Sequence, residues 1–247
     1  MAERDGALRA LLLRLADNEY TLGLRYAEWR ARAPQQDATL MVELMAQQEW
    51  THARALAALL ASDDAQFTLF ERPESGCIAF LRAPLRDWVD LVAVNFLFDG
   101  ALSVVCTAAV DSADATFASV MRSILRDETQ HTAFAISWVK RLAGEGGPTR
   151  DGLEAAIRRI WDATMCWFGP QDDPTAHALY DRHLLDAMPD VLRARLLSHI
   201  GPVARATRVR LPLRPAPHGN AWVLATPLPW SRWNAAAWQL DPPEALP

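Results

Sequence analysis

The sequence predicts an all-α fold with a four-helix bundle at its centre, and three observations carry that expectation. Proline is partitioned: seven of the sixteen lie in residues 1–201 and nine in the last 46, so the long first part is free to be helical and the end is not. Apolar residues recur at helical spacing through four long stretches. No segment alternates like a strand until "AWVLA" at 221–225.

The elements follow in order. Residues 4–32 place Leu8, Leu11, Leu12, Leu15, Leu22 and Tyr26 at helical spacing and end near Pro34. Asp37 is positioned to cap a second helix, which carries Leu40, Leu44 and Leu60 and runs to about Ser62. Residues 63–83, containing "RPESG", read as an irregular connector. The stretch Leu85–Val110 is apolar nearly all round and belongs at the centre of the bundle. After "DSAD" a fourth helix runs from Ala115 to Leu142 and is closed by "GEGG". Residues 151–168 and 174–199 read as two further helices. The expected organisation is a helical domain over 1–200 and a Pro/Trp/Arg-rich extension over 201–247 that packs on that domain or on a partner.

Composition narrows the function classes. At 247 residues and 51% hydrophobic, the chain can bury a substantial core. A net charge of −5 gives no argument for nucleic-acid binding. Lys140 is the only lysine, a bias that reads as genomic before it reads as functional. Three cysteines without a CxxC pair speak against a disulfide framework or a cysteine zinc site, and Cys106 sits in an apolar run as a small core residue. The N-terminus lacks the basic-then-apolar layout of a signal peptide, and no charge-free run approaches the ~20 residues of a membrane span. A cytoplasmic protein without a membrane role is the expectation.

The chemistry lies in two short motifs. "EWTH" gives Glu49 and His52, and "DETQH" gives Glu128 and His131; three apart on a helix, each pair shares a face. Antiparallel helices place residues level when they are equidistant from the joining turn. By that rule Glu19 faces Glu49 across the Pro34 turn, and Asp99 faces Glu128 across "DSAD". The spacing repeats, 80 residues from Glu19 to Asp99 and 79 from Glu49 to Glu128, as in an internal two-fold repeat of helical hairpins. Four buried carboxylates without partners would be very costly, and two cations would neutralise them. Carboxylate bridges with one histidine per metal suit two iron ions, with manganese as the alternative, better than structural zinc. This is the ligand set of the ferritin-like di-iron bundles. Asp99 stands out because "VAVNFLFDGALSVVCTAAV" contains no other charge.

The stretch "LLRLADNEYTLGLRYAEW" resembles the first helix of the phenylacetate-degradation oxygenase family, which includes the catalytic and structural subunits of phenylacetyl-CoA epoxidase. The matching residues are Leu15, Ala16, Asp17, Leu22, Gly23, Arg25, Glu28 and Trp29, and "SWVKRLAGEG" at 137–146 follows the same pattern. The likeness covers roughly residues 8–170 and is greatest to the structural subunit. That subunit lacks a complete ligand set, whereas Glu19, Glu49, His52, Asp99, Glu128 and His131 look like the six ligands of the catalytic one. The resemblance implies a ferritin-like fold, and these residues imply that this member binds metal.

The expectation is a di-iron oxygenase, with Glu19, Glu49, Asp99 and Glu128 as its catalytic carboxylates. It would use O₂ and external electrons to hydroxylate or epoxidise an organic substrate, a CoA thioester among the candidates. Without a nucleotide-binding glycine motif or an iron–sulfur cysteine set, electrons would come from a reductase or ferredoxin, and assembly as a homodimer or hetero-oligomer is expected. Two alternatives stand beside this: a non-catalytic subunit supporting a catalytic partner, and a ferritin-like protein handling iron or peroxide. Asp127 is either a group orienting a histidine or surface charge; Asp17 is an internal partner. Tyr20, Trp50, Phe96, Phe98 and Phe134 neighbour the ligands and either pack the core or shape a cavity, core packing being the first expectation for each. From Val191 to Leu240 there are seven arginines, four tryptophans and no acid, which does not suit a free tail; packing on the bundle or onto a partner subunit is expected before contact with the phosphates of a CoA-like substrate.

Overall fold

A computed structural model describes residues 6–60, 76–217 and 221–241. Helices α1 (Gly6–Trp29) and α2 (Gln36–Leu60) form the first hairpin. All six apolar residues expected on the stripe of α1, from Leu8 to Tyr26, are buried. The two helices approach closely at Gly23, where an added Cβ would lie 2.5 Å from Trp50 Nε1 and 3.1 Å from the Ala46 carbonyl oxygen. Asp37 lies inside the first turn of α2 rather than ahead of it, and its Oδ1 accepts from the Ala38 N–H at 2.8 Å. Of the connector expected over 63–83, residues 63–75 lie outside the described residues. From 76 it contains a short 3₁₀ turn, Ala79–Leu81.

The central apolar helix starts later than expected and changes register midway. Asp87 caps it, accepting from the Asp90 N–H at 2.8 Å. It runs as α3 (Trp88–Val94), a π-turn (Asn95–Asp99) and α4 (Gly100–Ala109). By length and composition this rod matches a membrane span, yet most of its apolar surface is buried inside the bundle. It pairs with α5 (Ala115–Glu145), whose N-cap Asp114 accepts from Thr116 and Phe117 N–H at 3.0 and 2.9 Å. Gly146, at φ 69°, ends α5 in the left-handed backbone that glycine adopts without penalty. The two hairpins pack together with α2 against α5, giving an all-α ferritin-like bundle.

Helix α6 (Gly147–Trp167) follows, packed on α3 and α5. The single helix expected over 174–199 is instead two, α7 (Pro174–Asp181) and α8 (Pro189–Thr207). His183 takes positive φ after α7, and Leu184 and Leu185 N–H groups turn back to the Leu179 carbonyl at 2.9 and 3.3 Å. Pro189 then opens α8 at its first turn, where its missing N–H costs nothing, and disfavours helical backbone just before it. Helix α8 lies on α4 and α5.

Beyond α8 come two short antiparallel pairs, β1 (Leu213–Pro215) with β2 (Trp222–Leu224) and β3 (Trp233–Asn234) with β4 (Gln239–Leu240). These segments rest on the helices. Trp238 donates from Nε1 to the Trp167 carbonyl at 2.7 Å and stacks on Arg14, whose guanidinium carbon is 3.5 Å from the ring centre. Trp222 fills the space where Gly201 lacks a side chain, and Arg210 Nε bonds the buried carboxylate of Glu154 at 2.8 Å. Cys77, Cys106 and Cys166 are free and buried.

Candidate metal centre

Six side chains meet at the middle of the bundle: Glu19 from α1, Glu49 and His52 from α2, Asp99 from the π-turn, and Glu128 and His131 from α5. All six are buried, with at most 3% of surface exposed. Their donor atoms form two overlapping groups, within each of which the atoms lie within 4.8 Å of one another. One group is Glu19, Glu49, His52 and Glu128; the other is Glu49, Asp99, Glu128 and His131. Glu49 and Glu128 belong to both. A shared carboxylate between two terminal pairs is the arrangement that bridges two ions.

The histidines are oriented by the opposite hairpin. His52 turns Nδ1 inward, 3.2 Å from Glu19 Oε2, and Nε2 outward, 3.0 Å from Asp127 Oδ2. His131 turns Nδ1 inward, 3.2 Å from Glu49 and Glu128 oxygens and 3.4 Å from Asp99 Oδ2, while Nε2 lies 3.0 Å from Gln48 Oε1. Asp127 and Gln48 each directly precede a ligand-type glutamate, so each Glu-x-x-His helix braces the other's imidazole. In the neutral form, with Nε2–H donated outward, each imidazole would present its Nδ1 lone pair to an ion in the cluster. Asp99 is held from the side, its Oδ2 accepting from Tyr26 Oη–H at 2.8 Å and Asn95 Nδ2–H at 2.6 Å.

The donor set suits metal on an observation of its own. Glu19 Oε1, both oxygens of Glu49 and Glu128, Asp99 Oδ1 and His131 Nδ1 are buried with no partner outside the cluster and only one another within it. Buried polar atoms are normally satisfied, and the atoms left open here all face one another. Oxygen-rich groups with one imidazole each are able to hold a metal ion.

Without an ion the cluster must hold protons. Burial, reinforced by the charges of Glu19 and Asp99, pushes the Glu49 carboxyl well above the ordinary range. Burial, then the charge of Asp99, pushes Glu128 up to about 8. For the histidines burial acts the other way and is overcome. Hydrogen bonds to Glu19 and Glu49 hold His52 up to about 12, and the charge of Glu128 with the bond to Asp99 holds His131 well above its usual value. Burial alone would also raise Asp99, but the bond and charge of His131 outweigh it and lower it. Tyr26 is raised well above the usual phenol value by burial and by Asp99, so it stays a donor.

A cavity of about 270 Å³ reaches the cluster between α4, α5 and α8. Phe96, Val104, Ile136 and Leu196 line it together with Thr129, Thr132 and His199; among the described residues Glu128 is the only acid in its lining and no lysine or arginine borders it. Of the aromatic residues expected to border the ligands, Phe96 lines this cavity, whereas Phe98 and Phe134 stack on other rings in the core. Asp17 is an internal partner, its Oδ2 accepting from the Gly76 N–H at 2.7 Å. Sequence reasoning missed Tyr26, Asn95 and Gln48. Gln48 was findable by aligning "QE" at 48–49 with "DE" at 127–128, and Asn95 lies one turn before Asp99.

Fold and site together define a ferritin-like bundle with a buried carboxylate–histidine cluster able to hold metal. The chain belongs to the family described as phenylacetic acid catabolic protein, whose model matches residues 1–221. It is 26% identical over 164 residues to one subunit of Escherichia coli 1,2-phenylacetyl-CoA epoxidase, a match covering 64% of this chain and 66% of that protein. It is 29% identical over 90 residues to a different subunit of the same epoxidase, covering 36% of this chain and 29% of that protein. Both matches span less than two thirds of the relative's length.

Proposed function

We propose that this protein is an oxygenase that inserts oxygen from O₂ into an organic substrate at a two-metal centre. The observation supporting it most is the pair of ligand groups sharing Glu49 and Glu128, with their oxygens otherwise unpartnered. Glu49 and Glu128 would bridge two iron ions, or manganese, with Glu19 and His52 completing one position and Asp99 and His131 the other. When bound and reduced, the metal pair supplies the electrons and the electrophilic character needed to activate O₂. Tyr26 and Asn95 keep Asp99 from swinging, and Asp127 and Gln48 keep the imidazoles facing inward. The cavity, with Phe96, Val104, Ile136 and Leu196 in its wall, would bring an uncharged group up to Glu128. The relatives' names suggest an aryl-acyl-CoA thioester; with no lysine or arginine among the described residues that border the cavity, only the acyl end would enter it. Electrons would be delivered by a separate reductase or ferredoxin, within a multisubunit assembly.

The chain matches two different subunits of one epoxidase, and this favours a second reading, in which it supports a catalytic partner rather than turning over substrate itself. Isotope incorporation separates the two. Iron-loaded protein with a chemical reductant, phenylacetyl-CoA and ¹⁸O₂ should yield product heavier by one labelled oxygen. Labelled product formed only when a partner protein is added, and formed equally by a Glu49→Gln variant of this chain, would establish the supporting role. O₂ converted to peroxide or water, with thioester untouched in both cases, would reject oxygen insertion.

A further inference from the structure

We propose that the two metal positions are unequal, and that Asp127, opposed to Gln48, sets the inequality. The position formed by Glu19 and His52 fills first and holds its ion more tightly than the one formed by Asp99 and His131. This rests on the two-metal reading. Glu49 and Glu128 serve both positions, so any difference must come from the terminal ligands and what touches them.

Two independent contacts favour the same position. His52 Nε2 and His131 Nε2 each have one acceptor at 3.0 Å, but the first is the Asp127 carboxylate and the second the neutral Gln48 amide oxygen. A bond to a charged acceptor is roughly twice as strong as a neutral one, and it draws the Nε2 proton outward, making the inward Nδ1 a better donor. Asp127 is partly exposed, its side chain at 37%, which weakens its field on distant groups but leaves this direct bond in place.

The carboxylates differ too. Asp99 Oδ2 already accepts from Tyr26 and Asn95, at 2.8 and 2.6 Å, which draws electron density from the group and leaves Oδ1 as its open atom. Glu19 Oε1 is open, and its Oε2 lies 3.2 Å from His52 Nδ1 with the Glu49 carboxyl beside the group and neither a hydroxyl nor an amide of the described residues bonded to it. One position therefore combines an undrained carboxylate with a carboxylate-backed imidazole. The other combines a drained carboxylate with an amide-backed imidazole. Asp127 and Gln48 are positioning residues here, acting through the histidines.

Anaerobic titration of apo protein with Mn(II), followed by calorimetry and by the EPR signal of free Mn(II), tests the inference without any turnover. Wild type should bind two ions in steps separated by about tenfold or more. Because contacts to ligand histidines are worth ~10–100-fold in affinity, Asp127→Asn should weaken the tighter step by that factor and merge the two. Asp127→Glu should restore the separation, and Gln48→Glu should tighten only the weaker step. If Asp127→Asn does not fold, as judged by circular dichroism, Gln48→Glu alone decides. Two equal steps in wild type, or equal weakening of both by Asp127→Asn, would overturn the inequality while leaving the two-metal centre intact. No Mn(II) binding at all would overturn both.

Discussion

Replacing Glu49 by glutamine separates a metal site from a structural charge network, because the two readings give opposite results. In the metal-free protein burial and the charges of Glu19 and Asp99 push the Glu49 carboxyl up, which favours its neutral form. Glutamine copies that neutral shape. His131 loses one neighbour at 3.2 Å but keeps Glu128 at 3.2 Å and Asp99 at 3.4 Å. The apo variant should therefore lie within about 1 kcal/mol of wild type, the scale of one neutral hydrogen bond. With metal the outcome changes. An ion present at 100 times its dissociation constant stabilises the folded state by ~2.7 kcal/mol. For a chain of this size that raises the melting temperature by roughly 5–10 °C. Glu49→Gln removes a shared ligand from both positions, so this rise should vanish. Differential scanning calorimetry of wild type and variant, each with and without Fe(II) under anaerobic conditions, provides the four melts. If the apo variant loses ~3 kcal/mol or more, the cost of breaking a buried ion pair, while wild type gains nothing from metal, the reasoning fails.

Stability should fall as pH rises in the metal-free protein. Glu128, pushed up to about 8, contributes fully below its unfolded value near 4.5 and loses that contribution as pH passes through 8; His52, held up to about 12, acts the same way from 6.5 upward. Urea unfolding at pH 5.5 and 8.5 should differ by on the order of 2 kcal/mol in favour of acid, and a flat profile would contradict the assignment. The stabilisation by metal should run the other way and grow from pH 6 to 8, since ligands bind deprotonated; calorimetric titration at the two pH values reads it. Trp238→Ala should cost ~3–5 kcal/mol, because the ring is buried and bonded to Trp167; an unchanged melting temperature would show that the extension does not brace the bundle. Ile136→Trp narrows the cavity beside Glu128, so metal content should stay as in wild type while substrate-dependent O₂ consumption falls at least tenfold. Loss of metal alongside activity would mean the cavity wall also supports the ligands.

Much of the centre was legible because ligand placement in a helical hairpin follows from arithmetic. Residues equidistant from a turn lie level, and Glu19, Glu49, Asp99 and Glu128 obey that rule through two hairpins. Asp99 was also legible by isolation, as the one charge in "VAVNFLFDGALSVVCTAAV". The π-turn that carries it was not, since nothing in "NFLFD" distinguishes a wide turn from an α-helical one; it rotates the chain beyond Asp99 relative to the chain before it. The break between α7 and α8 did leave a mark, Pro189, but the surrounding apolar spacing continues across it and suggests one helix. Contacts between hairpins, Gln48 to His131 and Asp127 to His52, depend on how the hairpins dock, which periodicity within one helix does not encode. The extension was readable only as composition. Its tryptophans called for burial, but which helix each would cover depended on gaps such as the one at Gly201.

The central claim is that one chain holds two ions through shared glutamates. Iron per chain, measured after anaerobic Fe(II) loading and removal of free metal, tests it most directly in wild type, Glu49→Gln and Glu128→Gln. The account predicts two irons per wild-type chain and strong loss from both positions in either variant. Wild type with no stoichiometric iron, or variants that keep two, would contradict it.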